Sequence, residues 1–346
     1  VYVAQVGRIR MFLLSASSIF DRLYAPVFSD EQLRRAVAFS RAVLETISSE
    51  NLGIRPSAII SNDWMTACIP PLAALDPKYQ KVPWLNTCKT IHMIHNGGAD
   101  YHGRLPLHVN NEDLWPMLNL APEHYFGFKD PFRSDLINLT MAAVQHTRGG
   151  VITVSQPYAH QLVSHAAGGD GLEYVLQHKR ISVFGVSNGI ARDDIDAYVS
   201  LRTVYSAQEL KESSVLLQAK TDLKVEIQKR YGLRASADAK LLSFVGRIAE
   251  QKGLQLLSGF VGDTHHSALE ELLVRHQDIQ ILIAGPVTDG DDCASSFREA
   301  VNYLCRRYPE RIAAVFDYIP HATALEIAAA STLFLMPSRF EPGGIS

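Results

Sequence analysis

Short apolar runs alternate with longer amphipathic stretches along this chain, a pattern typical of alternating strands and helices. In the first half, residues 57–61, 90–94 and 151–154 are rich in apolar side chains, as expected for strands buried on both faces of a parallel sheet. Residues 30–52 and 135–145 instead show helical periodicity. The apolar residues that share one face of the first predicted helix are Leu33, Ala36, Val37, Phe39, Ala42, Val43 and Ile47.

The same alternation resumes in the second half. Strands are predicted at 240–246, 279–284, 312–317 and 332–336, and helices at 251–260, 291–307 and 321–331. This order predicts an α/β protein with doubly wound parallel sheets, whose ligands bind at the carboxyl ends of the strands. The turn Ser187-Asn188-Gly189 predicts a domain crossing. We therefore expect one domain at 1–184, and a linker with a second domain at 185–346, facing each other across a cleft.

Composition narrows the class of protein. The chain has 346 residues, 47% of them hydrophobic and 20% charged, which suits two folded α/β domains. Its formal charge of −3 gives no electrostatic case for nucleic-acid binding. No apolar run approaches the roughly 18 residues that would predict a membrane span. The cysteines show no paired spacing, which favours reduced thiols in a cytosol-like or plastid-like compartment and leaves the localisation otherwise unknown.

Two basic residues flank a predicted strand–helix junction in the second half. Gly246-Arg247 follows the strand, and Gln251-Lys252-Gly253 opens the helix. A guanidinium can hold two phosphate oxygens in its planar fork, while an ammonium acts as a point charge. The pair could therefore bind a diphosphate, or could simply be exposed charges beside a helix.

A carboxylate and two glycines follow the last predicted strand, in Glu341-Pro342-Gly343-Gly344. Glycines that open a helix present backbone N–H groups to a phosphate. An ordinary helix-capping glutamate is the alternative. Because the sequence stops at Ser346 and starts directly on a predicted strand, we expect both ends to be incomplete.

A histidine follows the predicted strand at 90–94, in His95-Asn96-Gly97-Gly98. A neutral imidazole can exchange hydrogen bonds with a sugar hydroxyl, and the glycines permit close approach. The nearby His92, His102 and His108 raise a metal-binding alternative, but their spacing matches no zinc pattern and no metal site is predicted. His92 lies within the strand and is expected to be a core histidine.

A carboxylate also follows the first buried strand, in Ser61-Asn62-Asp63-Trp64. Local sequence favours Asp63 as the cap of the next helix, although an active-site role is compatible with that. Ser155 before Gln156-Pro157 predicts another helix N-cap. No Gly-x-Gly-x-x-Gly loop follows a predicted strand, so a dinucleotide cofactor is unsupported and no cofactor is predicted.

Taken in order, these motifs resemble glycogen and starch synthases, the retaining glycosyltransferases of the GT-B fold. The segments that carry the resemblance are Phe20-Asp21-Arg22, Asn62-Asp63-Trp64-Met65-Thr66-Ala67, Ile94-His95-Asn96, Thr153-Val154-Ser155-Gln156-Pro157-Tyr158-Ala159, Gly185-Val186-Ser187-Asn188-Gly189-Ile190, Val245-Gly246-Arg247-Ile248 with Gln251-Lys252-Gly253, and Met336-Pro337-Ser338-Arg339-Phe340-Glu341-Pro342. The resemblance implies two Rossmann-like domains that extend an α-glucan acceptor from ADP-glucose or UDP-glucose, within a larger polypeptide or complex.

The resemblance also implies residue roles. Arg247 and Lys252 would neutralise the diphosphate of the donor, and His95 would contact the transferred glucose. Asp63 would belong to the acceptor side and Glu341 to the donor sugar. The remaining donor-binding candidates are Asn96, Asn188, Gly246, Gly343, Gly344 and Tyr318. Tyr318 would stack on the base or, equally, be a core tyrosine.

The chain departs from the family at several positions. It contains no Lys-x-Gly-Gly-Leu-type loop, Gly343 replaces the usual cysteine after Glu-Pro, and Ala191 replaces an acidic residue. Gly344-Ile345 is similar to the synthase domain of fungal α-1,3-glucan synthases. These departures leave a second hypothesis, a catalytically inactive scaffold or carbohydrate-binding subunit of a larger assembly.

Overall fold

The structure is a computed structural model that describes residues 1–16, 19–20, 30–49, 52–109, 112–164, 166–190, 192, 205–206, 208–288 and 290–343, without the side chains of residues 100, 166 and 167. The chain divides into two compact units, Val1–Asn188 (unit 1) and Gly189–Ser346 (unit 2). Five motif residues singled out from the sequence lie outside the described residues, namely Asp21, Arg22, Ala191, Gly344 and Ile345.

Unit 1 contains a four-stranded sheet and three two-stranded ribbons. Its strands are β1 (Tyr2–Val6), β2 (Ile9–Leu13), β3 (Ala58–Asn62), β4 (Lys89–Ile94), β5 (Arg104–Pro106), β6 (His108–Val109), β7 (Glu112–Asp113), β8 (Leu136–Asn138), β9 (Val151–Thr153) and β10 (Val183–Gly185). The sheet has the order β10-β9-β4-β3, and its neighbouring strands are parallel. β1 with β2, β5 with β8, and β6 with β7 form antiparallel pairs. The predicted strands at 57–61, 90–94 and 151–154 are thus confirmed.

The helices of unit 1 lie between and beyond these strands along the chain. They are α1 (Asp30–Ser48), α2 (Ile69–Leu75), α3 (Pro77–Gln80), α4 (Pro83–Thr87), α5 (Leu139–His146), α6 (Gln156–Ser164), α7 (Ala166–Gly169) and α8 (Leu172–His178). A large core joins buried side chains of α1, α2 and α5. Ser155 caps α6 as predicted, because its Oγ accepts a hydrogen bond from the Tyr158 N–H at 3.2 Å.

Unit 2 is a second parallel α/β unit. Its strands are β11 (Lys240–Val245), β12 (Ile279–Ala284), β13 (Ile312–Val315) and β14 (Leu333–Phe334). Its helices are α9 (Ser213–Arg230), α10 (Leu254–Ser258), α11 (Ala268–Arg275), α12 (Asp292–Arg307) and α13 (His321–Ala330). The sheet order is β13-β12-β11-β14, again with parallel neighbours.

Alternate residues of β11 and β12 enter two separate cores, one on each face of the sheet. Leu242 and Phe244 pack with side chains of α10, α11 and α12, whereas Leu241 packs with side chains of α9 and α13. Helices therefore cover both faces, which explains why the strand sequences are mostly apolar, with Ser243 and Gln280 as buried polar exceptions. The predicted doubly wound α/β architecture is confirmed in this unit.

Three predicted elements differ from the structure. Residues 136–138 form β8, and the helix predicted from 135 begins only at Leu139, because the side chain of Asn138 accepts the Met141 N–H at 2.9 Å and caps it. The helix predicted at 251–260 covers only Leu254–Ser258, since Gly253 adopts a left-handed φ of 69°. The strand predicted at 332–336 is paired only at Leu333–Phe334. Over the described residues, none of the helices combines the length and apolarity that a membrane crossing requires.

Candidate active site

Asp63 follows β3 directly, at the carboxyl edge of the unit 1 sheet. Its backbone has φ 51° and ψ −178°, a conformation that costs a non-glycine residue about 1–3 kcal/mol and is concentrated at functional sites. The Asp63 side chain makes no capping hydrogen bond to the helical turn Trp64–Thr66. The expectation that Asp63 is a helix cap is therefore wrong.

The carboxylate of Asp63 turns instead to the neighbouring strand end. Its Oδ1 accepts a hydrogen bond from the His95 N–H at 2.8 Å, and its own N–H donates to the Met93 carbonyl at 2.9 Å. The His95 ring contacts Asn62, with Nε2 3.1 Å from Oδ1. With the Asn62 amide in this orientation, Nε2 donates a hydrogen bond to the carbonyl oxygen. Asp63 and His95, 32 residues apart, thus form one cluster.

Burial raises the pKa of the Asp63 carboxyl above its ordinary value, because desolvation disfavours the charged form. Backbone hydrogen bonds from His95 and Asn96 act in the opposite direction. The Asn96 side chain accepts the Gly98 N–H at 2.9 Å and so tightens the loop that follows β4. Asn62 has no role predicted from the sequence, although its position at a strand end beside Asp63 is a signal for one.

In unit 2, the segments after β11 and β14 are hydrogen-bonded to each other. The Arg339 N–H donates to the Gln251 carbonyl at 3.0 Å, and Gln251 Nε2 donates to the Phe340 carbonyl at 2.9 Å. Gly253 lies so close that a Cβ there would meet the Pro337 carbonyl oxygen at 2.0 Å. These strands are neighbours in the sheet, so the topology brings both loops to one edge.

Lys252 and Glu341 form an ion pair within this loop contact, with Nζ 2.6 Å from Oε2. Their side chains are 19% and 30% exposed, so the pair remains within reach of a ligand. A second pair joins Arg339 and Glu250 at 3.1 Å. A carboxylate and an ammonium from separate predicted motifs are therefore in direct contact.

Gly246 and Arg247 follow β11 at the same edge. The Gly246 N–H donates to the Ala284 carbonyl at 3.0 Å. A Cβ on Gly285, whose φ is 143°, would meet the Gly246 carbonyl oxygen at 1.9 Å, so the chains after β11 and β12 touch through backbone atoms. The Arg247 side chain is exposed.

The other donor-binding candidates are less constrained. Tyr318 follows β13 and is 77% exposed, so the alternative of a core tyrosine is wrong. Asn188 is exposed at the end of unit 1, and Gly343 is half-buried. Asn96 belongs to the Asp63–His95 cluster, whereas no contact joins Tyr318 or Gly343 to Lys252 among the described hydrogen bonds and ion pairs of unit 2.

His92 is a core histidine, as predicted. It is fully buried in β4, and its Nδ1 lies 2.8 Å from the Ser61 hydroxyl. Burial, with a smaller contribution from His95, lowers the pKa of His92 to about 3. Within the described ranges, no group of three or more His, Cys, Asp or Glu side chains could hold a metal ion.

Because His92 is buried in its neutral form, we expect acid to lower the stability of unit 1. The unfolded chain protonates this histidine below its ordinary pKa of 6.5, whereas the folded chain keeps it neutral down to about pH 3. The contribution of His92 therefore lowers the free energy of unfolding below pH 6.5, by up to about 1.4 kcal/mol for each pH unit. Urea titrations between pH 7 and pH 5, followed by tryptophan fluorescence, measure this slope, because Trp64, Trp84 and Trp115 all belong to unit 1.

His92→Gln removes one titrating group and is expected to reduce that slope, while burial lowers the pKa of His102 and His146 as well and leaves the rest of it. His160→Gln on the exposed side of α6 is the control. Equal slopes in the wild type and in His92→Gln would contradict the prediction.

Comparison with known proteins identifies the fold of this chain. Residues 1–178 match the family model "Starch synthase catalytic domain". A solved structure of the catalytic domain of starch synthase IV from Arabidopsis thaliana superposes with a TM-score of 0.70 at 24% identity, covering 94% of this chain and 60% of that one. The fold is therefore of the GT-B glycosyltransferase type.

Curated relatives agree with the family model. The chain is 32% identical over 308 residues to a glycogen synthase of Clostridium novyi, covering 89% of this chain and 57% of the relative. It is 31% identical over 332 residues to a glycogen synthase of Bacillus subtilis, covering 94% and 60%. The chain belongs to the glycogen and starch synthase family of glycosyltransferases, and it spans somewhat less than two thirds of these relatives' length.

Proposed function

We propose that the polypeptide containing this chain is a retaining glucosyltransferase that extends an α-glucan from ADP-glucose or UDP-glucose. The proposal rests on one observation: in a chain that belongs to this family, the candidate residues lie at the ends of parallel strands. Asp63 and His95 follow parallel strands of unit 1, and the contacting Lys252 and Glu341 follow parallel strands of unit 2. Ligands of parallel α/β sheets bind at these carboxyl edges.

In the proposed reaction, the bond between C1 of glucose and the diphosphate oxygen breaks while an acceptor hydroxyl oxygen bonds to C1 from the same face. The hydroxyl proton passes to the departing diphosphate oxygen. Lys252 and Arg247 neutralise the negative charge that develops on the departing diphosphate, which is the kind of contact that lowers a barrier most. His95 contacts the transferred glucose. Asp63 serves the acceptor side and holds the backbone of His95, through the hydrogen bond of 2.8 Å.

The Lys252–Glu341 ion pair has a consequence for donor binding. An ammonium already paired with a carboxylate at 2.6 Å offers less attraction to a diphosphate than an isolated one. We therefore propose that donor binding redirects Lys252 toward the diphosphate and releases Glu341 toward the sugar. Gly246, Asn96, Asn188, Gly343, Gly344 and Tyr318 complete the proposed donor-binding set.

The donor nucleotide is the next question. The Arabidopsis starch synthase IV structure contains ADP and acarbose, which makes ADP-glucose the first donor to test. Tyr318, exposed after β13, is our candidate for stacking on the base.

A donor-by-product assay tests the proposal. The complete natural polypeptide is incubated with radiolabelled ADP-glucose or UDP-glucose and a glycogen primer, and the product is examined by linkage analysis. We expect labelled glucan with one of the two donors and with retained anomeric configuration. If neither donor is bound or turned over, the inactive scaffold or carbohydrate-binding subunit becomes the better description.

A further inference from the structure

A chain of buried hydrogen bonds leads from a charged pair to the backbone beside His95. Arg104 Nε donates to Asp130 Oδ2 at 2.6 Å, and Asn138 Nδ2 donates to the same oxygen at 2.9 Å. Asn138 Nδ2 also lies 2.9 Å from His102 Nδ1, and His102 Nε2 lies 2.8 Å from the Gly97 carbonyl oxygen. His102 is fully buried. From the sequence it was a candidate only as a metal ligand, and no metal site was predicted.

The partners fix which nitrogen of His102 carries the proton. Asn138 Oδ1 accepts the Met141 N–H at 2.9 Å, so the amide orientation is set and Nδ2 has two hydrogens to donate. One hydrogen goes to Asp130 and the other to His102 Nδ1, which must therefore accept. The opposite nitrogen, Nε2, carries the proton and donates it to the Gly97 carbonyl.

The same peptide segment is held from its other side. The Gly97 N–H donates to the Tyr158 hydroxyl at 2.7 Å, and that hydroxyl donates to the Gly168 carbonyl at 2.8 Å. A Cβ on Gly97 would meet Leu162 Cδ2 and the Tyr158 oxygen at 2.9 Å each. Gly97 is thus clamped at its N–H and at its carbonyl, without room to shift.

The clamp lies two residues beyond His95. The His95 N–H is tied to Asp63 on one side, and the Gly97 peptide is tied to His102 on the other. The direction of the intervening backbone, and with it the direction of the imidazole, depends on both attachments. A small displacement of a catalytic group costs a large factor in rate, because reacting atoms must be aligned closely.

We propose that His102 is a positioning residue, which as a neutral Nε2–H imidazole holds the Gly97 carbonyl and thereby orients His95 toward the transferred sugar. The proposal rests on the function proposed above for His95. Protonation of His102 at Nδ1 would place its hydrogen against a hydrogen of the Asn138 amide, and the hydrogen bond between these residues would break. Burial lowers the pKa of His102, in agreement with a neutral ring.

Two substitutions of His102 separate the effect of its hydrogen-bond donor from the effect of its side-chain volume. His102→Gln keeps an amide N–H near the position of Nε2, whereas His102→Leu fills similar space and donates nothing. In the complete polypeptide, we expect His102→Leu to lower kcat by roughly 10- to 100-fold with a small change in KM, and His102→Gln to recover most of that loss. His146→Leu is the control, since its ring is half-buried and bonded to the Ala142 carbonyl but lies outside the link.

Nuclear magnetic resonance gives a readout that does not depend on activity. Two-bond ¹H–¹⁵N spectra should show His102 as the Nε2–H tautomer at neutral pH, and the His95 ring signals should move in His102→Leu but not in His146→Leu. An Nδ1–H tautomer, unmoved His95 signals, or a His102→Gln variant as slow as His102→Leu would overturn the proposal. An inactive wild type would contradict the proposed function alone, because the tautomer and the His95 signals would still decide the positioning role.

Discussion

Replacing Lys252 by alanine is expected to lower kcat for glucose transfer by about 10²–10³-fold, the usual cost of removing one donor aimed at charge that develops in a transition state. The Lys252 ammonium lies 2.6 Å from the Glu341 carboxylate and is partly exposed, within reach of a ligand. Its loss leaves the departing diphosphate less neutralised and leaves Glu341 without its partner. Incorporation of labelled glucose at saturating donor measures the effect.

The control for this substitution is Lys240→Ala. Lys240 belongs to the same unit, is paired with Asp278 at 2.9 Å, and has a side chain that is 60% exposed. Because exposed ion pairs contribute little, its kcat should stay within about twofold of the wild type. Glu341→Gln completes the set. Since Lys252 and Glu341 touch, the double variant should lose less than the sum of the two single losses expressed as free energies. Lys252→Ala activity equal to that of Lys240→Ala would remove Lys252 from the proposed mechanism.

Gly253→Ala is expected to cost unit 2 more than about 4 kcal/mol of stability, a loss well beyond that of most single substitutions. The residue has φ 69°, and its added Cβ would stand 2.0 Å from the Pro337 carbonyl oxygen. That oxygen belongs to backbone and cannot move alone, so the loop after β14 must separate from the turn before α10. Lys252 and Glu341 should then part, and glucose transfer should fall with stability.

Gly232→Ala is the control that separates the effect of the steric clash from the effect of the left-handed backbone conformation. Gly232 has φ 72°, and a Cβ there would meet nothing within 4 Å, so its cost should be only the roughly 1–2 kcal/mol of a left-handed alanine. Hydrogen-exchange mass spectrometry of peptides covering β11 and β14 measures both variants under the same conditions. Similar loss of protection in the two variants would mean that the close contact at Gly253 is not what holds the loops together.

The strands and most helices could be predicted because they are local consequences of residue order. Runs such as Ile279–Ala284, which is apolar except for Gln280, therefore become strands buried on both faces, as β12 is. The helix of residues 292–307 could be predicted from its periodicity and from Asp291, which caps it through the Ala294 N–H at 2.8 Å. The prediction at 135–145 was wrong at its start, because residues 136–138 pair with β5, a contact that a local pattern cannot reveal.

The candidate site was predictable in composition but not in contacts. Motif positions after strands identified Asp63, His95, Lys252 and Glu341, since carboxyl ends of parallel strands are where such residues act. Sequence could not show that the Asp63 carboxylate holds the His95 backbone instead of capping a helix. It also gave no signal for the role of His102, because that role depends on partners from β8 and from the loop after β4.

By itself the sequence determined the two α/β series, the edges at which ligands should bind, and the residue types available there. These follow from apolar periodicity and from what side chains can do chemically. Tertiary structure alone decided which of these side chains touch, because β14 pairs beside β11 and so brings Glu341 to Lys252 across 89 residues of chain. It likewise decided the tautomer of His102, since a proton on imidazole is placed by partners that only the folded chain assembles.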